Sequence, residues 1–284
     1  MKIYVLAEDF AGYSSRFWAQ HGISFLFEIK IGSRIHKFLF DTGTHAEPIL
    51  FNAKLLNLNL QEIEYVVISH SHYDHTGGLL GIMKEINKKI LVFAHPDIFK
   101  VSFATSHGFS YIGPPVSDLK KEAENLGALW VLSRDPIEIL PGVKTLGEIF
   151  SDEKVEYEKI TRNDVFKLES GDVVQDPLND EIGLVINTQK GLVVIGGCSH
   201  PGIVSMVRKA IKITGINRIH AVIGGFHLVN ADSERIERTV NDLRELGAEN
   251  IYTGHCTGLR AECEFSKRFG EKFHKLHAGM LIEL

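Results

Sequence analysis

The sequence predicts an α/β fold (α+β under some schemes) built as a four-layer αββα sandwich, and three observations predict it. Short β-rich runs alternate with helical runs along much of the 284 residues. The last third repeats one unit: an apolar strand, a loop bearing histidine, then a helix. The apolar run Tyr65-Val66-Val67-Ile68 leads into His70-Ser71-His72-Tyr73-Asp74-His75, a loop crowded with polar groups. Strands that present such groups at their carboxyl ends, with helices covering the outside, imply two sheets sandwiched between helices.

Taken in order, strands are expected at Lys2–Ala7, at Ser24–Ile31, whose pattern alternates, and at 35–40, with a helix near 46–56. A strand at 65–69 delivers the histidines. Thr76-Gly77-Gly78 lets the backbone pass close to them, and Leu79, Leu80, Ile82 and Met83 begin a helix over 78–86 whose N-terminus faces the cluster. Strand Ile90–Ala94 and a helical turn after Pro96 follow. From about Phe103 to Pro177 the signals weaken, because Pro114-Pro115, Pro136, Pro141 and several glycines break up short runs such as 129–132. The segment around 103–177 reads as an insertion and cover within a single domain spanning 1–284. Its Phe103, His107, Phe109 and Tyr111 read first as packing, with contact to a ligand as the sharper alternative. In the last third, strand 192–195 leads to Cys198 and His200, then to a helix with Val204, Val207 and Ile211 on one face, closed by Gly215. Strand 219–223 leads to His227 and a helix with Ile236, Val240, Leu243 and Leu246 buried, stopping at Gly247. Ile251-Tyr252 leads to His255, and a final helix and a strand through 280–284 complete this half.

Composition narrows the function. With 44% hydrophobic residues the chain can bury a large core. Lys and Arg number 31 against 36 Asp and Glu, a net charge of −5, and no basic block tracks a nucleic-acid backbone, so duplex binding is not expected. A small anionic substrate is compatible, because bound cations would invert the local field. No apolar run approaches the ~20 residues that cross a bilayer, and the first ten residues lack a signal-peptide pattern. Cys198, Cys256 and Cys263 make no disulfide framework and suit a reducing compartment, so a cytoplasmic protein without membrane contact is expected.

Three imidazoles and a carboxylate in six positions, His70 to His75, are too dense for an ordinary solvated loop, and each group is a good ligand for a borderline divalent cation. In an extended segment alternate side chains point the same way. His70 and His72 therefore converge on one ion while the chain turns at Asp74 and His75 toward a second. The expected cofactors are two divalent metal ions, Zn2+ first, with Mn2+ or Fe2+ as alternatives.

H-x-H-x-D-H resembles the signature of the metallo-β-lactamase superfamily. Leu39-Phe40-Asp41-Thr42-Gly43 is similar to that superfamily's first motif, which implies that Asp41 supports the metal ligands from behind. Ala94-His95-Pro96-Asp97, Thr145-Leu146-Gly147-Glu148-Ile149, Gly197-Cys198-Ser199-His200-Pro201-Gly202-Ile203, Gly225-Phe226-His227-Leu228 and Thr253-Gly254-His255 resemble the subgroup that includes an archaeal enzyme joining a dihydropterin to a ribosyl-aminobenzene phosphate. The resemblance runs from about Phe40 to the C-terminus, thinnest in the middle third, and implies a metallo-β-lactamase-like sandwich.

The resemblance also implies metal ligation by His255, in the late motif, against a satisfied core histidine. Cys198 stands where the superfamily's strand-end aspartate stands, its bland reading being a small buried hydrophobe. His200, two residues on, reaches the same side of an extended chain and is preferred, because imidazole lacks a thiolate's redox liability. The superfamily's G-H-T-x-G segment is missing. In its place stands Pro177-Leu178-Asn179-Asp180-Glu181, where Asp180 is either a substitute oxygen ligand or an ordinary turn aspartate. His95 and His227, with Phe226 beside the latter, follow strand ends on the presumed active face and are expected to meet substrate, holding an anionic oxygen or giving a proton. His21, His36, His45, His107, His220, His274 and His277 carry no ligand spacing, and only His277, expected in a C-terminal strand, invites attention.

Two cations sharing a water bring its pKa from ~15.7 toward about 7, so the first expectation is hydrolysis of a phosphoester or similar small anionic substrate. Asp74 would orient the attacking group, and His227 or His255 would stabilise charge or protonate the leaving group. The alternative is transfer, in which a pterin diphosphate ionises and an arylamine ribose phosphate attacks. A non-enzymatic metal-binding module comes next. An iron-based reductase is disfavoured, because the reductases resembling this superfamily carry glutamate where His72 stands.

Overall fold

Period-two burial builds the first sheet. Opposite one another in the ladder of Ser24–Ile31 with Arg34–Phe40 stand the pairs Phe25/Phe40 and Phe27/Phe38, all fully buried, while Leu26 and Leu39 point to the other face. The computed structural model describes residues 1–106, 108–116, 118–150, 155–158 and 164–284. The chain divides into two compact units. Met1–Ser133, Arg162–Asp180 and His277–Leu284 form the first, and Arg134–Thr161 and Glu181–Leu276 form the second.

In the first unit seven strands lie in the order Leu281–Glu283, Lys2–Ala7, Ser24–Ile31, Arg34–Phe40, Tyr65–Val67, Ile90–Ala94, Ala128–Leu132. The first three pairings are antiparallel and the last three parallel. Helices Ala46–Leu55, Leu79–Ile86 and Leu119–Asn125 cover one face, where Ile49, Ile82, Met83 and Leu119 pack with Leu6, Val66 and Val92. A separate four-stranded antiparallel sheet runs Asp172–Gln175, Val165–Glu169, Ser102–Ala104, Ser110–Tyr111.

In the second unit the order is Phe273–Lys275, Asn250–Gly254, Ile219–Gly225, Gly191–Ile195, Leu184–Thr188, Val143–Thr145, Glu138–Leu140, parallel over the first four strands and antiparallel beyond. Helices Ile203–Thr214, Ser233–Glu245 and Leu259–Phe269 bury Val204, Val207, Ile236, Val240, Leu243 and Phe265 against it. Both sheets are therefore flanked by helices, and the mixed α/β class is the one expected.

Four expectations shift. The strand before the histidines ends at Val67 rather than at 69, because the Ser69 N–H turns from the ladder to Asp41 Oδ1 at 2.6 Å. Leu281–Glu283 does not complete the last-third repeat; it pairs with Lys2–Ala7, and Phe273–Lys275 takes the edge of the second sheet instead. His277 lies ahead of the C-terminal strand, outside any strand. Within 103–177, Ala128–Leu132 joins the first main sheet and Glu138–Leu140 and Val143–Thr145 the second; strands of three to five residues at sheet edges leave little periodicity to read. Phe103 stacks on Phe109 and meets Tyr111 edge-on, the packing reading, while His107 lies outside the described residues. Among the described residues no helix is long and apolar enough to cross a membrane.

Phe265 is fully buried, with its ring 5.4 Å from that of Phe226. Phe265→Ala is expected to destabilise the chain by about 3–5 kcal/mol, read as a lower urea midpoint at unchanged slope.

Candidate metal-binding sites

In the first unit the loop leaving Tyr65–Val67 gathers three imidazoles. The His70 ring lies 4.7 Å from that of His72 and 4.1 Å from that of His75. His72 is the N-cap of a single helical turn, Tyr73–Thr76, which swings Asp74 and His75 out of the extended segment as expected. Asp41 lies behind them with no solvent exposure. It accepts from Ser69 N at 2.6 Å and Ser69 Oγ at 2.7 Å, and its Oδ2 is 2.7 Å from His75 Nδ1. With Nδ1 held there, Nε2, 3.3 Å from Asp74 Oδ2, is the nitrogen a cation would take. In the metal-free chain burial works against a charged imidazole, but Asp74 and Asp41 outweigh it and push His75 up to about 10. Two carboxylates around one buried imidazole leave a surplus of negative charge that a bound cation would neutralise, so the donor set fits a divalent metal.

Asp180, read from the sequence either as a substitute oxygen ligand or as a turn aspartate, is fixed by two partners. Its Oδ2 accepts from Ser71 N at 2.9 Å, between the two histidines, and its Oδ1 accepts from Lys100 Nζ at 2.6 Å. Lys100 also reaches Asp176 at 2.8 Å. Burial works against the charges of Lys100 and Asp180, but their pairing outweighs it, holding Lys100 above and Asp180 well below their ordinary ranges. Held by Lys100 on one oxygen and accepting from Ser71 N on the other, Asp180 braces the loop between His70 and His72. His95 uses Nδ1 to accept from Asp97 N at 3.0 Å and caps the turn Pro96–Phe99.

In the second unit three parallel strands end in loops carrying the remaining candidates. Cys198, His200 and His227 each offer a ligand atom within 4.8 Å of the others, and Cys198 Sγ lies 3.3 Å from His255 Nε2. The loops are laced by hydroxyls: Ser199 Oγ donates to Gly225 O, Thr253 Oγ1 to Gly224 O, and Phe226 N donates to Thr257 Oγ1. Sequence reasoning missed the main organiser, Glu181. Fully buried, it accepts from Gly197, Ser199 and His200 N–H at 3.2, 2.6 and 2.7 Å, and its Oε2 is 2.8 Å from His200 Nδ1. Burial works against its charge, but His200 and those N–H groups outweigh it and lower its pKa. The only signal was an acidic residue directly before the apolar strand Leu184–Thr188. Phe226, expected on the substrate side, is 1% exposed and packs in the core against Phe265; an aromatic ring gains more from burial there than from the loop's surface.

Asp41, Ser199, His227 and His255 all hold positive φ, at 59°, 59°, 47° and 49°, one to four residues past the end of a strand. Side chains other than glycine's rarely accept this conformation, and it turns these groups off the strand direction.

Residues 31–255 match the family described as the metallo-beta-lactamase superfamily. A 7,8-dihydropterin-6-methyl-4-(beta-D-ribofuranosyl)-aminobenzene-5'-phosphate synthase of Methanocaldococcus jannaschii is 58% identical over 283 residues, covering 100% of this chain and 96% of that protein. The crystal structure of Tm1679, a metal-dependent hydrolase of the beta-lactamase superfamily, is similar with a TM-score of 0.82 at 31% identity, covering 100% of this chain and 99% of that one. The metallo-beta-lactamase fold protein YhfI from Bacillus subtilis, at 13% identity and a TM-score of 0.56 over 100% of this chain and 98% of its own, shares the fold.

Lys100→Met removes the ammonium between Asp176 and Asp180 and is expected to destabilise by about 3–5 kcal/mol in chemical denaturation. Glu181→Gln is expected to lose about 1.5–3 kcal/mol at neutral pH. Because the folded pKa of Glu181 lies below its unfolded value, its contribution is present above about pH 4.3 and fades as pH falls through the folded value. Stability measured against pH should accordingly fall less steeply in acid for the variant than for the parent chain.

Proposed function

Because the chain belongs to the metallo-beta-lactamase superfamily, we propose that it is a metal-dependent transferase, joining a dihydropterin carried as its diphosphate to the amino group of a ribosyl-aminobenzene 5'-phosphate. The synthase that matches this chain from end to end carries the reading. It favours transfer over the hydrolysis expected first. Hydrolysis of a phosphoester stays as the second reading because Tm1679 is a hydrolase.

In the transfer, the bond between the pterin methylene carbon and oxygen breaks with its electron pair on the departing diphosphate. The arylamine nitrogen forms the new carbon–nitrogen bond and loses a proton. Bound divalent cations, two zinc ions first and Mn2+ or Fe2+ as alternatives, would supply positive charge toward the diphosphate as it leaves. We assign His70, His72, Asp74 and His75 in the first unit and Cys198, His200 and His255 in the second as their ligands. Asp41 and Glu181 hold His75 and His200 in orientation, so each ligating ring is fixed before a cation arrives. His227, half-buried beside His200, is the group assigned to hold an anionic oxygen or accept the amine proton, with His95 as a further candidate. In the hydrolytic reading Asp74 orients the attacking water instead. Both proposed substrates are phosphorylated, and cations bound at these loops would supply the positive charge they need.

Purified protein incubated with the pterin diphosphate, the arylamine ribose phosphate and Zn2+ or Mn2+ should yield the coupled product by mass spectrometry, with one diphosphate released per product. Chelation by EDTA should abolish it and added metal restore it. His72→Ala should lower kcat/KM by about 10²-fold or more. Metal-loaded protein that makes no coupled product but turns over bis-p-nitrophenyl phosphate would hand the assignment to the hydrolase; the absence of stoichiometric metal would end both.

A further inference from the structure

His21, which carries no ligand spacing in the sequence, stands against the histidine loop of its own unit. Its Nε2 lies 3.5 Å from Asp74 Oδ2, the oxygen that His75 Nε2 approaches to 3.3 Å from another direction. Each of these imidazoles is backed by an aspartate at 2.7 Å, His75 by Asp41 and His21 by Asp9. The result is a continuous chain, Asp41···His75···Asp74···His21···Asp9. It starts at a carboxylate with no solvent exposure and ends at one whose side chain is 38% exposed.

The outer half of this chain is built into the backbone. Thr44 Oγ1 donates to His21 O at 2.7 Å, and Gly22 N donates to Asp9 Oδ2 at 3.3 Å. Gly22 has φ +105°, and a Cβ there would sit 1.9 Å from the Asp74 carbonyl oxygen, so only glycine lets the loop press onto Asp74. The loop between the first two strands is thus seated on the ligand residue at both main chain and side chain.

We propose that Asp9 and His21 form a positioning pair for Asp74, holding its carboxylate from the solvent side while Asp41 holds the His75 ring from the buried side. The role rests on the reading of Asp74 as a metal ligand. Partners of this kind orient a ligand before the cation arrives, and their loss typically weakens metal binding by about 10–100-fold. His21 and Asp9 are half-exposed, where an ion pair contributes little to folding, so the effect falls on metal binding rather than on stability.

The test is titration of the metal-stripped full-length chain with Zn2+ in competition with a chromophoric chelator, alongside the melting temperature of the metal-free protein. His21→Ala and Asp9→Asn should each weaken binding, His21→Ala by about 10–100-fold, with the metal-free melting temperature unchanged. His21→Gln, which keeps a donor toward Asp74, should recover part of the loss. Wild-type affinity in His21→Ala would overturn the proposal and leave the metal reading intact. Loss of affinity in step with a lower metal-free melting temperature would overturn it as well, by reducing the pair to a structural contact. A wild-type chain that binds no Zn2+ would refute the metal reading itself.

Discussion

A carboxylate that leaves water must have its oxygens answered, and this constraint organises both units. Asp41 in the first unit and Glu181 in the second are fully buried, and each is met by backbone N–H of a histidine-bearing loop and by an imidazole. Asp180, also buried, repeats the device with Ser71 N and the Lys100 ammonium. The loops therefore do not depend on their own secondary structure for shape. A side chain from elsewhere in the same unit takes up their free N–H groups and at the same time aims or braces the histidines. Glu158 extends the pattern by one step. It accepts from Val204 N, Ser205 N and Ser205 Oγ, filling the N-cap of helix Ile203–Thr214 where Gly202 has no side chain to offer.

Four of the nine non-glycine residues at positive φ among the described residues lie in the same places. Strand-end residues held at positive φ cost roughly 1–3 kcal/mol each, a sizeable fraction of a domain's net stability, and they persist only where their surroundings leave no alternative. Around Ser199 the alternatives are closed by Glu181 on its N–H and Gly225 O on its hydroxyl. At His227 the N–H is taken by Cys256 Sγ. A strand that ran on straight would carry these side chains alternately to the two faces of the sheet; the left-handed residue interrupts that alternation where the polar groups are needed.

Much of the fold was legible because it is written in local periodicity. Ser24–Ile31 alternates, helix Ser233–Glu245 shows its apolar stripe, and Gly215 and Gly247 mark helix ends. The histidine loop was legible from density alone, and Asp41 from its resemblance to a known motif. What escaped was pairing at a distance. Lys100 meets Asp180 across 80 positions and His21 meets Asp9 across 12, and no spacing rule connects either pair before the chain has folded. The choice between hydrolysis and transfer escaped for a chemical reason. Cations held by such ligands would draw charge from a phosphate oxygen whether water attacks phosphorus or an amine attacks carbon, so the ligands by themselves favour neither.

The first unit is drawn from three stretches of chain, and they are made at different times. The cluster of apolar side chains beneath its helices is complete once Leu132 has been synthesised. Asp180, which grips the loop between His70 and His72, emerges only some fifty residues later, and the edge strand Leu281–Glu283 follows about a hundred residues after that. On the ribosome the scaffold can thus condense while the histidine loop still lacks its brace. In chain order, the bracing of the histidine loop follows the closing of the apolar cluster that carries it.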